Sequence, residues 1–269
     1  MPVESFTRDR PFAAPPEVQA SRTAGWRPGT LFWLAANVNP AVAEARPDLV
    51  EVDECAFERA LRALEAGESP PPRVVLLSSG GTVYDTTRPP PYSETSPVAP
   101  TTTYARSKLA LERALRSSSL PPECQLVVRV ANAYGPGQLA RRGQGVVAHW
   151  LRAAADGRPL VLIGDKESTR DYVYIDDIVD ALVAIHDAPG ALPPILNVGS
   201  GRGTSLAELA QTVLDVVGDP GLTIETRPAR GFDVARTWLD PTLAAEILGW
   251  RPKTSLHEGV AATWLALTS

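Results

Sequence analysis

The sequence predicts an α/β fold, a doubly wound parallel sheet with helices on both faces. Three observations predict it. Short Val- and Leu-rich runs with no polar alternation recur along the 269 residues, as doubly buried strands do. Segments with apolar residues at helical spacing separate them. The strand candidates run out into small, hydroxyl or glycine residues, as at the ligand edge of an open α/β sheet.

Residues 1–30 read as irregular, with prolines at 2, 11, 15, 16 and 28, and Val3–Phe6 as the tail of a strand entering the polar turn 7–10. Thr30–Ala36 reads as a buried strand, and residues 50–66 as a helix stopped by Gly67. Pro72–Leu77 reads as the next strand. A proline-rich loop, 85–102, leads into a helix over Tyr104–Ser117. Leu126–Val130 and Ile195–Val198 read as strands, Val146–Ala155 and Ile175–His186 as helices. Ser205 is placed to cap a helix running to Val217, and Asp240-Pro241 opens a short helix.

Composition excludes several classes. The formal net charge of −5 argues against a non-specific nucleic-acid surface. No apolar run reaches the roughly 18 residues of a membrane span, and the N-terminus has no apolar signal core. Cys55 and Cys124 give neither a disulfide framework nor metal-ligand spacing, so a reducing cytoplasm is the default. With three histidines and no pair at helical spacing, no metal is expected. Cys124 and His149 read as packing or surface residues.

Three strand ends carry the candidate chemistry. The first ends in Leu34, Ala35, Ala36 and Asn37, small enough to admit a flat ligand to the backbone. The second ends in Ser78, Ser79, Gly80, Gly81 and Thr82, the third in Ala131, Asn132 and Ala133. Tyr104 and Lys108 form a YxxxK pair on one helix face. A phenol with a pKa of about 10 is a poor base at neutral pH. A nearby ammonium favours the phenolate, which makes the pair a way to build a base for an alcohol proton. Such a spacing also arises by chance in a chain with six tyrosines. What singles this one out is its position after a hydroxyl-rich strand end.

The motifs SSGGTVY, PTTTYARSK, RVANAYGPGQ, STRDYVYIDD, LNVGSGRGTSL and LGWRPKTSLHEG occur in an order that resembles the extended short-chain dehydrogenase/reductases, closest to nucleotide-sugar epimerases and dehydratases. The resemblance covers roughly residues 30–265. It implies a Rossmann-like cofactor domain over 1–131 and a smaller nucleotide-sugar lobe over 132–269, with 171–199 returning to the first domain. It further implies NAD as cofactor and a nucleoside-diphosphate sugar as substrate, with Tyr104 removing the sugar hydroxyl proton and Lys108 holding the nicotinamide ribose. Leu34 to Val38, Asp53, Ser78, Ser79 and Ala131 match cofactor-lining positions, Asp53 where the family often has Asn. Asn132, Arg170, Arg230 and Asp233 match substrate contacts, the arginine suiting phosphate oxygens. For the Arg170-Asp171 dipeptide the bland alternative is a surface ion pair. Many relatives pair two helices into a homodimer, and 50–66 with 104–117 are the candidates here.

Two departures stand out. The family usually has Ser or Thr at the position of Gly80, which leaves Ser79 and Thr82 as the available hydroxyls. A lost donor of this kind costs about 2.7–4 kcal/mol of transition-state stabilisation. No GxxGxxG precedes Leu34, and residues 3–10 resemble the end of a second strand, with Arg8 or Asp9 at the adenosine ribose. The expectation is that a first strand, turn and helix of about 30 residues is missing. Gly199, Gly201 and Gly203 mimic a dinucleotide fingerprint, but its third glycine position holds Thr204. The leading function is therefore an NAD-dependent epimerase of UDP-hexose type. The alternatives are a non-catalytic sugar-nucleotide binder, or a ketoreductase or dehydratase. Dehydration is disfavoured by Gly81 and Thr82, where that branch carries an acid pair.

Overall fold

The computed structural model describes residues 29–67, 70–140, 145–228 and 236–269. The expectations for Val3–Phe6, Arg8 and Asp9 lie outside them. In chain order the described residues form β1 (Thr30–Trp33), α1 (Pro40–Ala45), α2 (Pro47–Glu65), β2 (Arg73–Ser79), α3 (Thr103–Ser117), β3 (Gln125–Val130), β4 (Asn132–Tyr134) and α4 (Val146–Ala155). They continue through β5 (Leu160–Ile163), β6 (Thr169–Arg170), β7 (Tyr172–Tyr174), α5 (Ile175–Asp187), β8 (Ile195–Val198) and β9 (Thr204–Ser205). The last four are α6 (Leu206–Val217), β10 (Ile224–Arg227), α7 (Thr242–Leu248) and α8 (Leu256–Thr268).

The main sheet is wholly parallel in the order β1-β2-β3-β8. Alternation along β2 explains its double burial. Val74 and Leu76 face Phe57 and Leu61 of α2 and Leu111 and Leu115 of α3. Val75 faces the opposite core with Val128, Leu196, Ile178 and Ile185. Each such side chain contributes about 1.5–3 kcal/mol by leaving water. Arg73, at the start of β2, donates to the carbonyls of Ile185, Ala188 and Gly190, a cation at the carbonyl end of α5.

A second core surrounds Tyr134, Tyr172 and Tyr174, whose rings meet edge to face. Trp150 and Leu151 of α4, Leu160 of β5, Leu209 of α6 and Val260 of α8 close it. Gly259 is required there, since a methyl group would overlap the Tyr134 hydroxyl. Asp177 ties the segment before α8 to α5 by accepting from the amides of Lys253 at 2.9 Å and Thr254 at 3.1 Å.

Three helices differ from expectation at their starts. α2 begins at Pro47, α3 at Thr103 and α7 at Thr242. β1 stops at Trp33, and β2 runs on to Ser79, which pairs with Val130 of β3. The expected capping role of Ser205 is present in full. Its hydroxyl accepts from the Glu208 amide at 3.1 Å, and Glu208 accepts from the Ser205 amide at 2.8 Å.

Candidate active site

The register of the sheet sets the site. Trp33 lies opposite Leu76, and Ser79 opposite Val130, so all three strand ends emerge at the same edge. α3 starts above that edge. Thr102 caps it, accepting from the Ala105 amide at 3.1 Å. Glu44 of α1 accepts from the Thr103 amide at 2.6 Å and its hydroxyl at 2.8 Å, which holds the Glu44 carboxyl below its ordinary range. These bonds fix the helical turn that carries Tyr104.

Tyr104 packs against the small cluster of Val38, Ala43 and Val50. Lys108, one turn on and only 8% exposed, places its ammonium 5.6 Å from the centre of the Tyr104 ring. Burial pushes the Tyr104 phenol up to about 12, against the pull of the Ser79 hydroxyl. The net shift is thus opposite to the lowering expected from the ammonium. Desolvation of the hydroxyl wins, and the ammonium lies toward the ring face. Lys108 is itself drawn down by burial, with the Asp53 carboxylate opposing the fall.

The two hydroxyls left by the glycine at position 80 come together. Thr82 donates to Ser79 at 3.0 Å, and Ser79 neighbours the phenol of Tyr104. Gly80 has a packing reason. A Cβ there would lie 2.5 Å from a methyl of Leu239, a residue 1% exposed. The Ser78 hydroxyl is engaged within the protein. The alternation of β2 turns it toward α3, onto buried Glu112.

Leu34, Ala35 and Ala36 are exposed, and Val38 is buried. Asp53 of α2 clamps the same loop, accepting from the Asn37 amide at 2.7 Å and from its side chain. Exposed small residues backed by a clamped turn, with Tyr104 and Lys108 beside them, suit the flat face of a dinucleotide. Ala131 is buried at the end of β3. Asn132 donates through both its backbone amide and its side chain to the Asp171 carbonyl, each at 2.9 Å. Its side chain also flanks the position of a Gly81 Cβ at 3.7 Å. Arg170 is half-buried on β6, where it donates to the Thr169 carbonyl at 2.9 Å. Arg230 and Asp233 lie outside the described residues.

Sequence reasoning missed the residue that joins these parts. Asp171 is 2% exposed, so the surface reading of this acid does not hold. Its carboxylate accepts from the Ser200 amide at 2.7 Å, the Ser200 hydroxyl at 2.6 Å, the Gly201 amide at 3.3 Å and the Leu239 amide at 3.1 Å. Burial still drives its pKa upward. The one cue in the sequence was the glycine-rich turn 199–203, whose free amides need an acceptor. Gly199 and Gly203 admit Asp171 and Trp238 at close range, which accounts for them without a pyrophosphate.

A parallel-sheet edge with Tyr and Lys one helical turn apart, beside clustered hydroxyls, fits an α/β protein of the Tyr–Lys dehydrogenase/reductase class. Residues 20–199 match the family model for the NAD dependent epimerase/dehydratase family, and the chain belongs to that family. It is 37% identical over 249 residues to a UDP-glucose 4-epimerase of Mycolicibacterium smegmatis, covering 89% of this chain and 76% of that protein. It is 37% identical over 172 residues to a dTDP-L-rhamnose 4-epimerase of Burkholderia thailandensis, covering 62% of this chain and 47% of that protein. Its fold matches a UDP-glucose 4-epimerase of Thermotoga maritima solved with UDP-glucose, with a TM-score of 0.79 and 29% identity over 90% of this chain and 77% of that one.

Proposed function

We propose that the chain is a nucleotide-sugar epimerase of UDP-hexose 4-epimerase type. The observation that carries the reading is the grouping of Tyr104, Lys108, Ser79 and Thr82 at one sheet edge. Leu34 to Val38, Asp53 and Ala131 would hold the cofactor, with Lys108 at its ribose. Bound NAD supplies the hydride acceptor and a positive charge beside the phenol. Tyr104 takes the proton of the sugar hydroxyl, and Ser79 and Thr82 hydrogen-bond the reacting oxygen. Burial raises the Tyr104 pKa in the free chain, and the positive charge of bound NAD would draw it back down. Asn132 and Arg170, with Arg230 and Asp233, would meet the sugar nucleotide. The division into a cofactor domain and a sugar lobe belongs to the same reading, as do a cytoplasmic setting and a homodimer through α2 and α3.

The test is direct. The protein is incubated with NAD and each UDP-hexose, and the sugar product is followed. The expected result is interconversion, reduced at least about 100-fold in Tyr104→Phe. Absence of interconversion, or full activity in the variant, rejects the proposal. A second reading, a binder without catalysis, is favoured by Gly80, where Leu239 fills the space of a hydroxyl. Tight sugar-nucleotide binding together with no NAD binding in calorimetry would support it instead.

A further inference from the structure

A buried ion pair lies behind the site. Glu112 follows Tyr104 and Lys108 on α3 at successive four-residue steps, so all three share one helix face. Its carboxylate receives Arg129 of β3 through two bonds, at 3.1 and 2.7 Å, and the Ser78 hydroxyl as a third. The two side chains are 4% and 5% exposed. The Arg129 guanidinium also lies 4.8 Å from the centre of the Tyr84 ring. Tyr84 in turn donates to Asn197 of β8 at 2.7 Å. Ser78 and Ser79 end β2, the loop that bears Thr82 follows, and Tyr84 closes it.

We propose that Glu112 and Arg129 are a positioning pair, holding that loop at both ends in register with the helix face that presents Tyr104 and Lys108. Apolar residues of the same volume generally serve stability as well as a buried pair does. What the pair adds is direction, because a two-bond fork and a third donor tolerate one orientation of helix against strand. The inference rests on the function proposed above, since the register matters to turnover only if Tyr104 acts beside Ser79.

Glu112→Ala leaves a buried guanidinium and is expected to fold poorly, so the test uses Ser78→Ala, which removes one grip and no charge. Ser78→Thr restores the hydroxyl. Expected for Ser78→Ala are a melting temperature near that of the parent and a kcat lower by about tenfold, with KM for the sugar nucleotide within about twofold. Tyr104, followed by its ¹³C-tyrosine resonance, stays protonated in the parent to about pH 11. In Ser78→Ala it begins to ionise below that, because a loosened register admits water. Ser78→Thr recovers both values. Parental kcat and titration in Ser78→Ala overturn the proposal, as does a loss of kcat that only tracks a lowered melting temperature. If the parent itself turns over no sugar, the epimerase reading has failed, and the Tyr104 titration alone decides whether the pair positions the phenol.

Discussion

Gly80 and Leu239 meet where a side chain at either position constrains the other. Gly80→Ala would push its methyl against the Leu239 branch and cost about 1–3 kcal/mol by overpacking. Leu239→Ala would open a hole beneath the loop and cost about 2–5 kcal/mol. Because the two changes share one space, urea unfolding of the double variant is expected to show less than the sum of the single losses. Additive losses would show that the contact is not shared. A hydroxyl at position 80 would also need this space, which gives a physical reason for the work falling to Ser79 and Thr82. Tyr104 and Lys108 were legible because a pair one turn apart is a local pattern. Asp171, Leu239, Glu112 and Arg129 were not, because each earns its role from partners far away in the chain.

The same division runs through the elements. The four strands of the main sheet and the helices α2 to α6 carry their own signals, namely continuous apolar runs, periodic faces and caps. The ladders β4–β7 and β6–β9 are two or three residues long and exist through tertiary pairing, so no periodicity betrays them. α8 lacks a one-sided apolar stripe, and its sequence, with Gly259 inside it, reads as a helix only when its Ser255 cap and the Tyr134 contact are known. Two predictions belong here. Ser205→Ala removes one half of a reciprocal cap and is expected to lower stability by about 1 kcal/mol in chemical denaturation. Asp171→Ala strips the acceptor from four donors that hold the 199–203 turn and Leu239. A loss of at least about 3 kcal/mol is expected, with sugar-nucleotide binding lost alongside. Binding unchanged in a folded Asp171→Ala protein would show that the turn does not shape the cleft.

Across the whole molecule, burial of the tyrosines governs behaviour in alkali. All six phenols are raised, each with burial as the largest cause, and Tyr104 and Tyr172 are pushed up to about 12. Below about pH 10 they are protonated in the folded and the unfolded chain alike, so the advantage is intact. Above it the unfolded chain sheds protons that the folded one keeps, and stability falls as pH rises toward 12. The melting temperature is expected to drop steadily from about pH 10 upward, with tyrosinate absorbance appearing together with unfolding. Tyrosinate absorbance that rises well before the fold is lost would contradict this. The two cores share the burden, since Tyr84, Tyr92 and Tyr104 belong with the main sheet and Tyr134, Tyr172 and Tyr174 with the second core.

The match between Gly80 and Leu239 also bears on descent. Neither position drifts freely. A bulkier residue at 80 overpacks against Leu239, and a smaller residue at 239 leaves a hole beside Gly80, so either change alone passes through a destabilised chain. A hydroxyl side chain at that spot is therefore accommodated with least strain when residue 239 changes together with it, although the two positions lie far apart in the chain.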